Sequence, residues 1–244
     1  MIVQTDKEYS STKMILQGKA SIGEDFKSLA DWINDTYQIR PINIEYDMFV
    51  DPEGNRRPRL NVIFKFWDEQ NEFSSNESYF DSVKQAAIKQ QFEQYLRTKR
   101  EKIGLFRKIS NWLFNSDYHT KDMFVIFISF EMAAKADVNN MITSDKLEIL
   151  KSEIDNSDIW KIERLFDGAC FIFYNTEQAN ANSQNSYADI LAERYYDLLK
   201  SFDEFDFFKR SELSIILDSK ENLDKNYHGN LKMYLRRVIT DKIN

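Results

Sequence analysis

Asp218 and Lys220 stand two residues apart at the end of the apolar run Leu213 to Leu217. Metal-dependent nucleases show this pattern: carboxylates hold Mg²⁺ and a lysine steadies the attacking water or the developing charge. Residues i and i+2 of a strand project to the same side, so the spacing suits that chemistry. A further acid would have to come from another strand. Glu163 is the upstream choice, because Asp167 is accounted for by the Asp-Gly turn it forms with Gly168. Two observations oppose the hydrolytic reading. An acid two residues before a lysine also occurs at Asp25 and Lys27, which is no more than chance predicts for 40 acids. Asp218 and Glu221 also have capping-box spacing, so Asp218 is expected to cap a short helix reaching about Asn226 and ended by Gly229. The capping reading is preferred, and the alternative is a Mg²⁺-dependent phosphodiesterase using Asp218, Lys220 and Glu163.

Other reactive groups have similarly plain explanations. Arg97, Arg100, Arg107 and Lys108 share one arc if the stretch from Leu96 to Phe114 is helical, an arrangement that suits phosphate, an anionic membrane or an acidic partner. The remainder of the chain is acidic and would repel a polyanion, so a solvated helix face is preferred and nucleic acid is disfavoured. Asp203, Glu204 and Asp206, in "FDEFDFF", are carboxylates available to a partner or a cation, with Phe202, Phe205, Phe207 and Phe208 packing inward. Cys170 lies inside "GACFIFY", where apolar surroundings raise a thiol's pKa and make it a core residue. His119 and His228 fall in turns with no serine or acid to pair with them. The chain has no phosphate-binding glycine loop, dinucleotide fingerprint, zinc-protease motif or nucleophile elbow. No cofactor and no metal are expected.

The bulk numbers bound the possibilities. In 244 residues there are 33 basic and 40 acidic groups, a net charge of −7, with 42% hydrophobic and 14% aromatic residues. That is a globular balance with ample core. A single cysteine excludes an internal disulfide and a multi-cysteine metal site. The first residues lack the pattern of a secretory leader, and no apolar run approaches the ~20 residues that cross a bilayer. A cytoplasmic location is expected, and the usage of Lys, Asn, Ile, Phe and Tyr suggests an AT-rich bacterial genome.

Helical periodicity places Phe26, Leu29, Ala30, Ile33 and Tyr37 on one face behind a Ser21/Glu24 capping box, and Tyr187, Ile190, Leu191, Tyr195, Leu198, Leu199 and Phe202 behind Ser186 and Asp189. Further helices are expected over Ser78 to Lys102 and Thr143 to Ile154. Ile42, Ile44, Tyr46, Met48 and Val50 alternate with Asn43, Glu45, Asp47 and Phe49. After the turn "DPEGN", Leu60, Val62, Phe64 and Phe66 alternate again, which predicts an antiparallel hairpin. "MFVIFISF", "CFIFY" and "LSIIL" read as strands covered on both sides, and Trp160 to Leu165 and Leu231 to Arg237 as further strands. The fold class is therefore α+β, with a mixed, largely antiparallel sheet packed against amphipathic helices. An extension, 1–20, precedes a helix–hairpin–helix unit, 21–115, and a sheet unit, 120–244, with the boundary at Asn115 to Asp122. Asn175 to Ser186 is expected to be a polar loop, and no internal repeat is visible. The function this favours is a non-catalytic module that binds another protein, of the toxin-neutralising or assembly kind, through the carboxylates at 203–206 and the 175–186 loop. The third reading is binding of nucleic acid or anionic membrane through residues 97–108.

Overall fold

A computed structural model describes residues 7–75, 79–106, 118–184 and 186–243. It is an α+β fold with two mixed three-stranded sheets. The elements are α1 (Lys7–Leu16), α2 (Glu24–Tyr37), β1 (Asn43–Val50), β2 (Arg56–Phe64), α3 (Trp67–Asn71), α4 (Ser82–Phe106), β3 (Phe124–Ser129) and α5 (Phe130–Met141). There follow α6 (Ser144–Ile154), β4 (Ile159–Leu165), β5 (Gly168–Phe173), α7 (Thr176–Ser183), α8 (Tyr187–Lys200), β6 (Ser214–Ser219), α9 (Lys220–Tyr227) and α10 (Leu231–Ile243). The chain divides into two units between Ala133 and Ala134, inside α5. The boundary expected at 115–122 is thus displaced, because β3 pairs in parallel with β2 and belongs to the first sheet.

Each unit lays down the same path. In the first, β1 pairs antiparallel with β2, and β2 pairs parallel with β3; in the second, β4, β5 and β6 repeat the arrangement. The registers coincide. Asn61 lies between Glu45 and Ile126, and Cys170 lies between Glu163 and Ile216. One step along, Val62 faces Phe127 as Phe171 faces Leu217, and Phe64 faces Ser129 as Phe173 faces Ser219. Among the described residues two α-helices intervene before the third strand in both units, and a helix starts directly after it. The internal repeat absent from the sequence is present in the topology.

A repeated clasp closes the carboxyl end of each sheet. Ser219 caps α9 by accepting the Asn222 N–H at 3.0 Å, and Ser129 stands in the same way at the start of α5, accepting the Met132 N–H at 3.4 Å. Two residues on, Glu131 accepts the N–H of Trp67, the first residue of α3, at 2.9 Å, and Glu221 accepts the N–H of Thr176, the first residue of α7, at 3.1 Å. Each glutamate thereby satisfies one of the orphan donors that a helix N-terminus carries.

The cores follow from strand alternation and helix periodicity. In the first unit Leu60, Val62, Phe64, Val125 and Phe127 meet Phe26, Leu29 and Ile33 of α2 and Ile88, Phe92 and Leu96 of α4. In the second, Phe171 and Phe173 meet Leu147 and Leu150 of α6 and Leu191, Tyr195 and Leu199 of α8. A fully buried side chain of this size contributes about 1.5–3 kcal/mol. On the opposite face, Cys170, Ile172 and Leu165 of the second sheet pack against Leu223 of α9 and Tyr234 of α10. The corresponding face of the first sheet is met by α1, where the Asn43 amide donates to Thr12 Oγ1 at 3.0 Å and Tyr9 stacks on Phe130.

Several local expectations are corrected. Leu231 to Arg237 is the start of α10, not a strand: Leu231, Tyr234 and Leu235 recur at helical spacing and pack together. The polar stretch from Asn175 to Ser186 contains α7. Asn175 caps that helix and the Gln178 side chain returns to the Asn175 N–H, so capping supplies what apolar periodicity does not. At α2 the cap is Gly23, without a side-chain bond, in place of Ser21.

Candidate functional site

The structure separates the residues of the hydrolytic reading. Asp218 is at the end of β6, and its carboxylate accepts from Tyr234 Oη at 2.7 Å and from the Asn222 amide at 2.9 and 3.0 Å. It therefore ties α10 and α9 to the strand. It is not the helix cap; that role passes one residue on, to Ser219. Burial, and then the neighbouring Cys170 and Asp218, push the Tyr234 phenol well above its ordinary pKa. Lys220, the first residue of α9, reaches Asp224 at 2.5 Å and lies over the Trp160 ring. Glu163 lies on the same face as Asp218 but two strands away, beside Lys161 at 2.5 Å. Strand spacing and rise put such positions about 12 Å apart, too far for one Mg²⁺ to bridge. An open depression of about 690 Å³ is lined by Lys220, Asp224, Lys225 and Tyr174, and Asp218 does not line it. Among the described residues no group of three or more His, Cys, Asp or Glu side chains could hold a metal ion.

The acidic cluster is largely consumed by its own turn. Asp203 is buried and accepts the N–H groups of Phe207 at 3.0 Å and Phe208 at 2.9 Å, which turns both rings into the fold. Asp206 pairs with Lys200 and Lys209, and hydrogen bonds from Lys200 and then Lys209 lower its carboxyl pKa to about 2. Asp203 is thus no part of an exposed contact surface, while Glu204 is exposed. Asp25 joins Lys99, Tyr95 and Tyr118, not Lys27. Of the basic arc, Arg97 is exposed on α4; the Arg100 side chain, Arg107 and Lys108 lie outside the described residues. Cys170 is fully buried beside Tyr234. His228 closes α9 in a left-handed conformation, and the His119 backbone exchanges hydrogen bonds with the Tyr46 hydroxyl.

A different surface emerges at the outer end of the first sheet. Phe49, Arg57, Arg59 and Phe124 are neighbours across β1, β2 and β3 on the face that α1 enters from the other end. The Phe49 and Phe124 rings meet edge-on at 5.8 Å. Arg57 lies 5.3 Å over Phe124 and Arg59 lies 5.0 Å over Phe49. Arg59 is anchored by Asp47, whereas Arg57 is exposed. Its signal was present in the sequence: Phe49 interrupts the polar row Asn43, Glu45, Asp47. The basic members come from the turn-side half of β2, in which no periodicity marks them as a group.

A groove of about 310 Å³ touches Asn43 to Tyr46 of β1 and Lys7 and Ser11 of α1. Ser11 and Asn43 contribute hydrogen-bonding groups to it, and Phe26 and Tyr118 contribute rings. No protein-family model matches the chain, and no curated protein or solved structure is significantly similar to it. No described helix is long and apolar enough to cross a membrane.

Proposed function

We propose that the chain is a non-catalytic protein-binding module, cytoplasmic and bacterial, of the kind that neutralises a toxin or joins an assembly. The observation that carries this reading is the aromatic and arginine end of the first sheet, where Phe49, Phe124 and Arg57 combine rigid apolar area with a cation held over a ring. Aromatic residues and arginine are the usual anchors of protein interfaces. The groups required for hydrolysis support the same reading, because Asp218, Lys220 and Glu163 each have a partner within the fold.

The test is affinity capture from the native cells at low and moderate salt, followed by mass spectrometry. A stoichiometric partner is expected, retained by the wild type and weakened at least tenfold by Arg57→Glu or Phe124→Ala. Failure to recover any partner, or recovery indifferent to both substitutions, removes the proposal. So does Mg²⁺- or Mn²⁺-dependent cleavage of nucleic acid that disappears in Asp218→Ala.

A further inference from the structure

Helix α1 lies on the outer face of the first sheet and meets it largely through polar groups. On the sheet, Glu45 and Asp47 of β1 stand in register beside Asn61 and Arg59 of β2, and β3 offers Ile126 and Phe124 at the same positions. From the helix, Glu8 comes to 4.0 Å from the Arg59 guanidinium, and Ser11 donates to the Glu45 carboxylate. Three carboxylates thus share one seam with Arg59. Asp47 has the stronger hold on that guanidinium, since Arg59 Nε donates to one of its oxygens at 2.9 Å and Nη2 to the other. Lys7 and Lys13, the neighbouring cations of α1, project about 100° and 140° round the helix from Glu8.

Glu8 is enclosed in this seam, with 15% of its side chain exposed. Burial raises its carboxyl pKa, its own backbone N–H opposes the rise, and Asp47 and Glu45 add to it, as desolvation and like charge require. Asn61, in the middle of the same face, is 1% exposed, and neither of its amide atoms is paired. Against these costs stand contacts that do not depend on charge: Tyr9 stacks on Phe130, and Thr12 Oγ1 accepts from the Asn43 amide at 3.0 Å. The core of the unit lies on the other side of the sheet, where Leu60, Val62 and Phe64 face α2 and α4, and none of its members belongs to α1. The helix therefore has a way off the sheet that leaves the core in place.

We infer that α1 is a proton-controlled strap, closed on the sheet while Glu8 is protonated and released as Glu8 ionises. The protonated acid donates a hydrogen bond to Asp47 and leaves Arg59 to that carboxylate. The ionised form sets a third negative charge beside two others. Because the docked carboxyl titrates above its undocked value, closure is favoured at low pH and weakens as pH rises through the docked value. Opening uncovers the strip around Glu45, Asn61 and Ile126. It also withdraws Glu8 from Arg59, which lies over the Phe49 ring, so the strip is continuous with the aromatic and arginine end of the sheet. The inference stands apart from the protein-binding reading.

The experiment follows amide hydrogen exchange of the full chain between about pH 4 and 8, with rates corrected for the intrinsic pH dependence of exchange. Protection of the α1 amides should fall about threefold as pH rises, while Val62 and Phe92 in the core keep theirs. Glu8→Gln retains a donor without the charge and should hold α1 protected throughout. Asp47→Asn removes one of the repelling charges and frees Arg59 for Glu8, so it should shrink the fall. Protection of α1 that is indifferent to pH, a fall that persists in Glu8→Gln, or loss of protection in α1 and the core together overturns the inference. None of these outcomes touches the protein-binding reading, which is decided by capture of the partner.

Discussion

On the faces beneath their paired helices, the central strands of the two units carry Leu60, Val62 and Phe64 in one and Ala169, Phe171 and Phe173 in the other, register for register. The exchange of Leu and Val for Ala and Phe roughly conserves volume, which is the kind of change that cores tolerate. On the opposite faces the correspondence fails. Where the second sheet sets Cys170 and Leu165 against α9 and α10, the first sets Asn61 and Asp47. Asn61 is 1% exposed, and neither its amide nitrogen nor its oxygen has a hydrogen-bond partner. A buried polar group left in this state costs about 1–3 kcal/mol. The backbone path thus follows from the shared core, and the outer layer of each unit is free to diverge. The first unit holds its outer helix, α1, through polar contacts and one aromatic stack, while the second holds α10 largely through apolar packing.

The largest expected effect tests the shared core. Phe171→Ala should destabilise the second unit by about 3–5 kcal/mol, and Val62→Ala, the corresponding truncation in the first, by roughly 2 kcal/mol. Urea titration read by amide exchange in each unit measures both, and equal losses would break the equivalence. The outer layers give a smaller contrast of opposite signs. Cys170→Asn should cost about 2 kcal/mol, since it buries an amide beneath α10, while Asn61→Leu should add about 1 kcal/mol by removing one beneath α1. Destabilisation by Asn61→Leu would mean that the amide has a partner after all. The smallest effect lies at the 203–206 turn, between α8 and β6. Because Lys200 and then Lys209 depress the Asp206 carboxyl below its unfolded value, its contribution is present above about pH 4 and is lost as pH falls through about 2. A carbon-detected NMR titration should place its midpoint near 2, and Lys200→Met should move it upward.

How much of this was legible depended on the length of the pattern. The hairpin at 42–66 and the helices containing Phe26 to Tyr37 and Tyr187 to Lys200 were readable, because alternation or helical spacing persisted over several residues. α7 was not, since Ala179 is its one buried residue and its stability rests on an Asn175–Gln178 box within a polar run. Leu231 to Arg237 misled because a window of seven residues fits either period; continuation to Ile243 resolves it as a helix. The parallel pairing of β3 with β2 spans a long excursion through α4 and leaves no local trace. The repeat itself was concealed because what must match is register and burial. Glu45 with Glu163, Phe64 with Phe173 and Ser129 with Ser219 agree in type, yet they are scattered among pairs such as Asn61 with Cys170 and Ile128 with Asp218. At the candidate site, Asp218 and Lys220 are neighbours in sequence, but side-chain partners from α9 and α10 decide what Asp218 does.

The glutamates at 131 and 221 have a consequence beyond joining elements. In many α/β proteins the exposed N–H groups where a helix starts, just past the carboxyl ends of parallel strands, form the seat for a nucleotide's phosphate. Here a carboxylate from the chain itself occupies that seat, at Trp67 in one half and Thr176 in the other. Being tethered, it competes with any dissolved anion at an effective concentration of about millimolar or above. In both halves the N–H at the helix start is thus already engaged by a carboxylate of the chain itself.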